Sequence, residues 1–362
     1  AWWAENTSKR SAICDWATSA DERRRLRALL DRADVLIECA EPGTMAALGL
    51  DHERLSDRNP TLVHVAITPF GQAGIGGGTD ITDLTLLARG GPMWSCGYDD
   101  HDLPPVRGRG NQGVRMAAHH AVMAVLTALL ARERVGGQFI DVNMHAAANV
   151  TTEFASYGWL SGQHTVQRQT GRHATPDPTE PTQVRCADGR FLNTGVPPRT
   201  GREFRSLMEW IDELGLRDRF ELSSVLELGF EVELITLAML QEDPMAGEIF
   251  GAGRAAMALI AASVSAHEAF LGFQQRGIAC GVVWSPDELM TDPHFVERGF
   301  PTPVHHEALG RDVVYPGPPI RFTASPMAIR HPAPTLGQHD AEVWAEVGLA
   351  AREPSEAGTP SD

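Results

Sequence analysis

Three short apolar runs stand out along the first half of the chain, at residues 35–37, 62–67 and 138–143. Their length and their content of Val, Ile and Leu are typical of buried strands. Segments with helical period lie between them. Because strands that alternate with helices build parallel sheets, the pattern predicts an α/β fold.

The helical segments carry recognisable start signals. Ser19 and Glu22 have the spacing of a capping box, which predicts a surface helix that ends near Ala33. A glycine-rich loop at residues 71–78 leads to a helix that begins near Asp80. Residues 114–134 are apolar almost all round, which predicts a helix buried in a layered domain.

The pattern of predicted elements changes near residue 184. Residues 185–191 have the pattern of a hairpin, and largely helical sequence follows to about Arg276. We therefore expect a large parallel-sheet domain at 1–183, a small α+β domain at 184–310, a return segment at 311–350 and a disordered tail at 351–362. The tail is rich in Ser, Pro, Glu and Gly and has few apolar residues to bury.

Composition narrows the classes of function. The chain has 362 residues, 43% of them hydrophobic and 22% charged, which is typical of a globular protein with a substantial core. Its 47 acidic and 31 basic residues give a formal charge of −16, which repels nucleic acids and anionic membranes. The longest apolar run, at 121–131, is too short to span a bilayer. We expect neither a nucleic-acid nor a membrane partner.

Metal and disulfide chemistry receive little support from the sequence. The five cysteines are widely spaced and odd in number, which predicts small buried thiols in a reducing cytoplasm. The histidine pairs at 119–120 and 305–306 are adjacent in sequence, so they lack the spacing of two ligands on one helix face. No metal site is predicted.

Motifs spread over the chain resemble the family III CoA-transferases of the CaiB/BaiF type, the formyl-CoA transferase and carnitine CoA-transferase group. They lie in the family's order at residues 36–43, 49–63, 70–72, 128–142, 186–189, 277–299 and 317–322. The resemblance implies a CoA-binding domain with a parallel sheet, a smaller domain and an interlocked dimer. Family members also begin with a strand-helix-strand unit ahead of the segment equivalent to residues 3–11, so we expect that unit to be missing here.

The resemblance also implies a reaction. In the family an aspartate attacks the acyl-CoA carbonyl to give a mixed anhydride and then an aspartyl-CoA thioester, so CoA moves between two carboxylic acids. That aspartate position falls on Ala146, whose methyl group cannot attack a carbonyl. His145 and Glu153 are the nearby candidate substitutes, although His145 also fits a structural role and Glu153 lies two helical turns away. Asp141 alternates within its strand and is interpreted as structural.

The racemase branch of the family uses a histidine and an aspartate for proton transfer. Those positions fall on Thr79 and close to Val114, which do not titrate usefully. Asp80 resembles a family aspartate in that loop and is interpreted as a helix cap. Racemisation is therefore the weakest of the functional readings.

The expected cofactor contacts are reduced in the same way. The resemblance places Cys39, Ala40 and Ala47 where many relatives have asparagine, phenylalanine and a basic residue, and Ala17 replaces a further basic residue. The remaining candidates for contact with a CoA thioester, which would be a substrate and not a bound cofactor, are Lys9, Arg10, Gln72, Arg107 and Arg109. A strand-to-helix turn at 71–78 and solvated arginines in the loop are the simpler interpretations.

Three hypotheses follow. The chain is a CoA-transferase with an unusual nucleophile, or it is a catalytically degenerate subunit that pairs with an intact copy, or it is a racemase-type enzyme on the same fold. The partners expected are an acyl-CoA, a carboxylic acid, and a second copy or a related chain.

Overall fold

The computed structural model describes residues 2–17, 19–73, 81–169, 181–195 and 197–350. The chain divides into two compact units. Unit 1 comprises 1–90, 109–151 and 285–362, and unit 2 comprises 91–108 and 152–284. This division differs from the boundaries expected from sequence: residue 184 lies within unit 2, and residue 311 lies within unit 1. The tail at 351–362 lies outside the described residues.

The helices, in chain order, are α1 (Trp2–Glu5), α2 (Ala20–Leu30), α3 (Thr44–Ala47), α4 (His52–Ser56), α5 (Asp83–Gly90), α6 (Gln112–Val135), α7 (Met144–Val150), α8 (Glu153–Gly162), α9 (Gly201–Glu213), α10 (Ser223–Leu228), α11 (Leu237–Glu242), α12 (Pro244–Ser263), α13 (Ala266–Gln275), α14 (Pro293–Glu297) and α15 (Asp340–Glu346). The strands are β1 (Val35–Glu38), β2 (Val63–Thr68), β3 (Phe139–Asn143), β4 (Gln183–Arg185), β5 (Phe191–Asn193), β6 (Gly281–Val282), β7 (Pro301–His306) and β8 (Arg311–Pro316). Short 3-10 helices lie at Arg217–Arg219, Gly229–Glu231, Glu288–Met290 and Glu307–Leu309.

A parallel sheet in the order β1-β2-β3 organises unit 1, which confirms the predicted α/β fold. Side chains alternate between its two faces. Val63 and Val65 pack against the alanines of α6 on one face. Leu62, at the start of β2, packs with Leu30 of α2 and Leu55 of α4. The sheet is thus covered by α6 on one side and by shorter helices on the other.

The start of α2 follows its sequence signal. The Ser19 side chain accepts a hydrogen bond from the backbone N–H of Glu22, as a capping residue does. The helix predicted to begin near Asp80 runs from Asp83 to Gly90. Asp80 itself, together with Thr79 and most of the glycine-rich loop, lies outside the described residues.

Helix α6 departs from the prediction of a fully buried helix. Its buried residues are small and form one stripe, Gly113, Ala117, Ala121 and Ala128. The opposite face exposes large apolar side chains, Val122, Met123, Leu126 and Leu130. The prediction was wrong because an all-apolar sequence does not say how many faces of a helix find a partner. We call this set of four residues the α6 apolar face.

Unit 2 contains an antiparallel sheet, β4-β5-β6, and a group of helices. The hairpin of β4 and β5 confirms the predicted one, and helices α9 to α13 confirm the helical sequence after it. Phe204, Trp210 and Phe273 lie in the core, where the rings of Trp210 and Phe273 meet edge to face at 4.9 Å.

Two described helices have the length and composition of a membrane span, α6 and α12. Helix α6 has 24 residues, so it is longer than the apolar run at 121–131 from which no membrane span is predicted. Helix α12 is a core helix of unit 2, with Ala256, Met257 and Ile260 fully buried. Core helices commonly satisfy such a length and composition test.

Candidate functional site

The carboxyl ends of β1, β2 and β3 lie at one edge of the parallel sheet of unit 1. Ligands of open α/β sheets bind outside this edge, since the loops that follow the strands project there. The segments that follow the strands are residues 39–40, 69–72 and 144–146. The sequence-predicted residues Gln72, His145 and Ala146 therefore fall at the same edge.

The loop after β2 is fastened to the end of β3. Asp141 accepts a hydrogen bond from the backbone N–H of Gln72 at 2.9 Å. The Asn143 amide donates to the backbone oxygen of Phe70 at 2.9 Å. Gly71 has a φ of +83°, and a Cβ there would lie 3.1 Å from the Asp141 carboxylate. Asp141 thus holds the loop in place, as its structural interpretation from sequence expected.

Asn143 also fixes the start of α7. Its side-chain oxygen accepts from the backbone N–H of Ala146 at 3.0 Å, which makes it the N-cap. The backbone N–H of His145 donates to the oxygen of Pro69 at 3.0 Å. Ala146 is exposed on the first turn of α7. A side chain at position 146 is therefore presented to solvent from a rigid turn at the carboxyl edge of the sheet.

His145 is half-buried beside the loop after β2. Its Nε2 lies 2.9 Å from the backbone oxygen of Arg89, and its ring lies 5.7 Å from that of Phe70. Because a carbonyl only accepts, Nε2 carries the hydrogen of this contact. The ring is thus oriented by a main-chain contact.

Comparison with known proteins shows which family the chain resembles over most of its length. The model of the family described as CoA-transferase family III matches residues 1–340. The chain belongs to CoA-transferase family III. The family resemblance drawn from scattered sequence motifs is confirmed.

Relatives of this family III chain agree with the assignment. A subunit of succinyl-CoA:(R)-benzylsuccinate CoA-transferase from Thauera aromatica is 29% identical, over 96% of this chain and 80% of the relative. Formyl-CoA:oxalate CoA-transferase from Streptomyces avermitilis is 26% identical, over 96% of this chain and 82% of the relative. The crystal structure of a CaiB/BaiF family protein from Brucella suis matches with a TM-score of 0.73 at 21% identity, over 96% of this chain and 83% of that one. This last likeness establishes the fold.

The basic residues predicted to contact CoA lie in different places in the family III chain. Arg10 contacts two carboxylates of α15, those of Glu342 at 2.7 Å and Glu346 at 2.6 Å. The hydrogen bonds that Arg10 donates to Glu346 and then to Glu342 raise the pKa of its guanidinium. Lys9 donates to the Asn6 side chain at 3.0 Å. The charge of Arg10 is thus already matched by acidic residues of unit 1.

The two loop arginines are separated by the division into units. Arg107 belongs to unit 2 and donates to the backbone oxygen of Gly108 at 3.1 Å. Arg109 belongs to unit 1 and is exposed. Arg107 and Arg109 are therefore two separate positions, each in its own unit.

The segment after β1 carries no basic side chain in this family III chain. Cys39 and Ala47 are exposed, in contrast to the buried cysteines expected from sequence. Partial burial of the Cys39 sulfur and, second, the Glu38 carboxylate raise the pKa of its thiol. A raised thiol pKa disfavours the thiolate, so Cys39 is a poor nucleophile.

The remaining candidates add no group to this edge. Glu153 is the first residue of α8, in unit 2, and the structure describes no side chain for it. Thr79 lies outside the described residues, and Val114 is an exposed residue of α6. No cluster of three metal-ligating side chains occurs among the described residues.

Sequence reasoning missed one group of polar residues in unit 1. Glu38, His52 and His64 come from β1, α4 and β2, and they meet beside a cavity. No spacing in the sequence connects the three, because the sheet brings separate segments together. Only His64 gave a signal, as a polar residue inside an apolar strand.

Proposed function

We propose that this chain is one subunit of a CoA-transferase, which moves CoA between an acyl-CoA thioester and a carboxylic acid, and that a paired chain supplies the nucleophilic carboxylate. The substrates are the thioester and the acceptor acid, and no bound cofactor takes part. Membership in CoA-transferase family III supports the reaction class. The name of the Thauera aromatica relative, a subunit of a CoA-transferase, supports a shared assembly. A cytoplasmic location fits both substrates.

The reaction needs a group that is both nucleophile and leaving group. A carboxylate attacks the thioester carbonyl, the C–S bond breaks and CoA leaves as a thiolate. The thiolate then attacks the carbonyl of the enzyme's carboxyl group in the anhydride and releases the donor acid. The acceptor carboxylate repeats these steps in reverse order and departs as the new thioester.

The observation that carries the proposal is the side chain at position 146. The first turn of α7 is rigidly capped by Asn143 and presents residue 146 to solvent at the carboxyl edge of the sheet. The residue presented is an alanine, so this chain supplies the position without the reacting group. Cys39, Ala40 and Ala47 in the predicted cofactor contacts agree with a chain that leaves the chemistry to its partner.

One observation favours the alternative of an unusual nucleophile in this chain. His145 precedes Ala146, and its Nε2 donates to the backbone oxygen of Arg89, which leaves Nδ1 as the nitrogen for an attack. An imidazole nitrogen can attack a thioester carbonyl and form an acyl-imidazole. The racemase alternative has no comparable support, since Val114 carries no titratable group.

A transfer measurement separates these possibilities. The purified chain is incubated with an acyl-CoA that is radiolabelled in its CoA moiety and with an acceptor acid. The incubation is run with the chain alone and with the chain together with a family III chain that has aspartate at the position equivalent to Ala146. We expect label to reach the acceptor only in the mixture. His145→Ala should leave that rate within about twofold, because imidazole catalysis by this chain would contribute about 100-fold or more. His101→Ala, an exposed histidine of unit 2 whose Nε2 also lies beside a backbone oxygen, that of Arg168, is the matched control.

Two outcomes would contradict the proposal. Transfer by the chain alone that disappears in His145→Ala and persists in His101→Ala would establish the alternative nucleophile. If the mixture transferred CoA no faster than the aspartate-containing chain does by itself, this chain would not be a subunit of the transferase.

We further propose that the α6 apolar face is covered by the paired chain. Leu126 and Leu130 are 56% and 88% exposed on a helix whose other face already packs on the sheet. Exposed contiguous apolar surface of this kind marks protein interfaces. An interlocked dimer, implied by the family resemblance, would bury such a face.

Charges placed on the α6 apolar face should therefore dissociate the assembly. Leu126→Glu together with Leu130→Glu is expected to weaken association by 100-fold or more, since two unpaired carboxylates would be buried in the interface at about 1.5–3 kcal/mol or more each. Light scattering after size-exclusion chromatography measures the mass. Thr127→Glu, which adds a charge beside the face and removes no apolar side chain, should leave the mass unchanged. A double variant with the mass of the unaltered assembly would contradict the interface.

A further inference from the structure

A cavity of about 400 Å³ lies in unit 1 on the side of the sheet away from α6. Its lining includes Glu38, His52, His64, Gln72 and Phe139. His64 alternates with Val63 and Val65, which pack with α6, so it projects to the opposite face. The volume is within the range of small-molecule sites. Only Gln72 among these residues was a candidate for the transferase chemistry.

Several polar atoms around the cavity have no hydrogen-bond partner within the described part of the chain. His64 is 1% exposed, and both of its ring nitrogens are unpartnered. Nδ1 of His52 and Nε2 of Gln72 are also buried without partners. The Glu38 carboxylate lies 4.0 Å from Nε2 of His64, which is too long for a hydrogen bond. Buried polar atoms are nearly always hydrogen-bonded, so this group points to a molecule that bonds them.

The charges around the cavity are acidic. Its lining contains the carboxylates of Glu38, Asp51 and Glu53 and no lysine or arginine. Asp51 is already engaged, because it caps α4 and pairs with Arg54. Burial, and second the neighbouring His52, lower the pKa of His64 to about 4, so its ring is neutral at pH 7. The walls therefore disfavour phosphates and carboxylates, and the site differs in chemistry from one that takes CoA.

Aromatic rings complete the walls. The ring of Phe139 lies 5.0 Å from that of His64 and 5.9 Å from that of His52. Aromatic faces together with a carboxylate attract organic cations. A neutral imidazole adds one lone pair that can accept from an ammonium or amidinium N–H.

We propose that this cavity is a binding site for a small organic cation of the amine or amidine class. The cation donates to the Glu38 carboxylate and to the His64 lone pair, and its apolar body lies against Phe139. The described residues hold no group of three metal ligands, which disfavours a metal ion as the occupant. Binding at this site requires no acyl-CoA, so its test is independent of the transferase proposal.

Benzamidine and phenethylamine are suitable probes, with benzoate as the probe of opposite charge. The side-chain nitrogen resonances of His52 and His64, observed by long-range ¹H–¹⁵N correlation, report on the cavity. We expect benzamidine and phenethylamine each to shift these resonances until the shift saturates, and we expect benzoate to cause no shift. Calorimetry on the same samples gives the dissociation constants.

Variants separate a built site from a water-filled space. Glu38→Gln should weaken amine binding about tenfold or more, because a charge-assisted hydrogen bond is lost. Glu307→Gln, in the 3-10 helix before β8, is the matched control and should bind as the unaltered chain does. Phe139→Leu leaves the hydrogen bond from the Ala40 backbone N–H to the Glu38 carboxylate in place and should also weaken binding. The proposal would be overturned if neither benzamidine nor phenethylamine shifted the histidine resonances, or if benzoate shifted them equally. It would also be overturned if both cavity variants, Glu38→Gln and Phe139→Leu, bound these cations with unchanged affinity.

Discussion

The Ala146→Asp variant is expected to gain a covalent adduct with CoA that the unaltered chain does not form. Ala146 is exposed on the first turn of α7, so the substitution needs no repacking. A carboxylate near a helix N-terminus is favourable, and stability should stay within about 0.5 kcal/mol. In our proposal the new side chain stands at the position equivalent to the family's nucleophile, where attack on a thioester yields a mixed anhydride and then an aspartyl-CoA thioester.

Intact-protein mass spectrometry after incubation with a high concentration of acyl-CoA measures the adduct. The high concentration compensates for the weaker binding that we predict from alanine at positions 40 and 47. Hydroxylamine, which cleaves thioesters, should release CoA and leave an aspartyl hydroxamate at residue 146. Ala118→Asp places a carboxylate at an exposed alanine of α6 and should remain unmodified. An Ala146→Asp chain that binds the thioester and still shows no adduct would contradict the assignment of position 146.

Replacement of Gly137 by alanine should destabilise unit 1 by about 3 kcal/mol or more. A Cβ at this position would lie 2.2 Å from the Leu62 backbone oxygen and 2.7 Å from its nitrogen. The main chain cannot yield there, because Gly137 N–H donates to Pro60 at 2.7 Å and pairing of β2 with β3 begins one residue later. Separation of these strands would also displace Asn143 and α7.

Urea unfolding followed by circular dichroism measures this effect. Gly247→Ala is the matched control, since a Cβ at this interior position of α12 meets no atom within 4 Å. Alanine is the better helix former, so the control should be as stable as the unaltered chain or up to about 1 kcal/mol more stable. A Gly137→Ala chain that loses less than about 1 kcal/mol would show that the close approach is relaxed in solution.

Local signals in the sequence predicted the elements that position the site. The apolar runs predicted β1 to β3, of which β2 is buried along most of its length. A strand buried on both faces has a nearly continuous hydrophobic sequence, as β2 does. Ser19 predicted the start of α2 because its cap bond joins residues only three apart. The turn between β4 and β5 is equally local, and the hairpin prediction succeeded for the same reason.

Features that depend on distant residues could not be predicted in this way. Arg10 was a candidate for phosphate contact, yet its partners Glu342 and Glu346 are more than 300 residues away. The exposed face of α6 was missed because burial depends on what packs against a helix and not on its own sequence. The cavity beside His64 was missed because its walls come from three strands and α4.

The candidate site shows the same difference between features that were predictable from the sequence and features that were not. The family resemblance gave the order of motifs and the position of Ala146, while the fastening of the loop to Asp141 and Asn143 required the structure. The orientation of His145 was also a structural result, since the Arg89 oxygen that fixes its ring belongs to another helix.

The most direct test of the account is the intact mass of the purified, unaltered chain after incubation, by itself, with a panel of acyl-CoA thioesters. A chain that lacks its own nucleophile should keep its original mass and release no free CoA. A mass increase equal to CoA or to the acyl group, on any residue, would contradict the central claim that the reacting carboxylate comes from a partner.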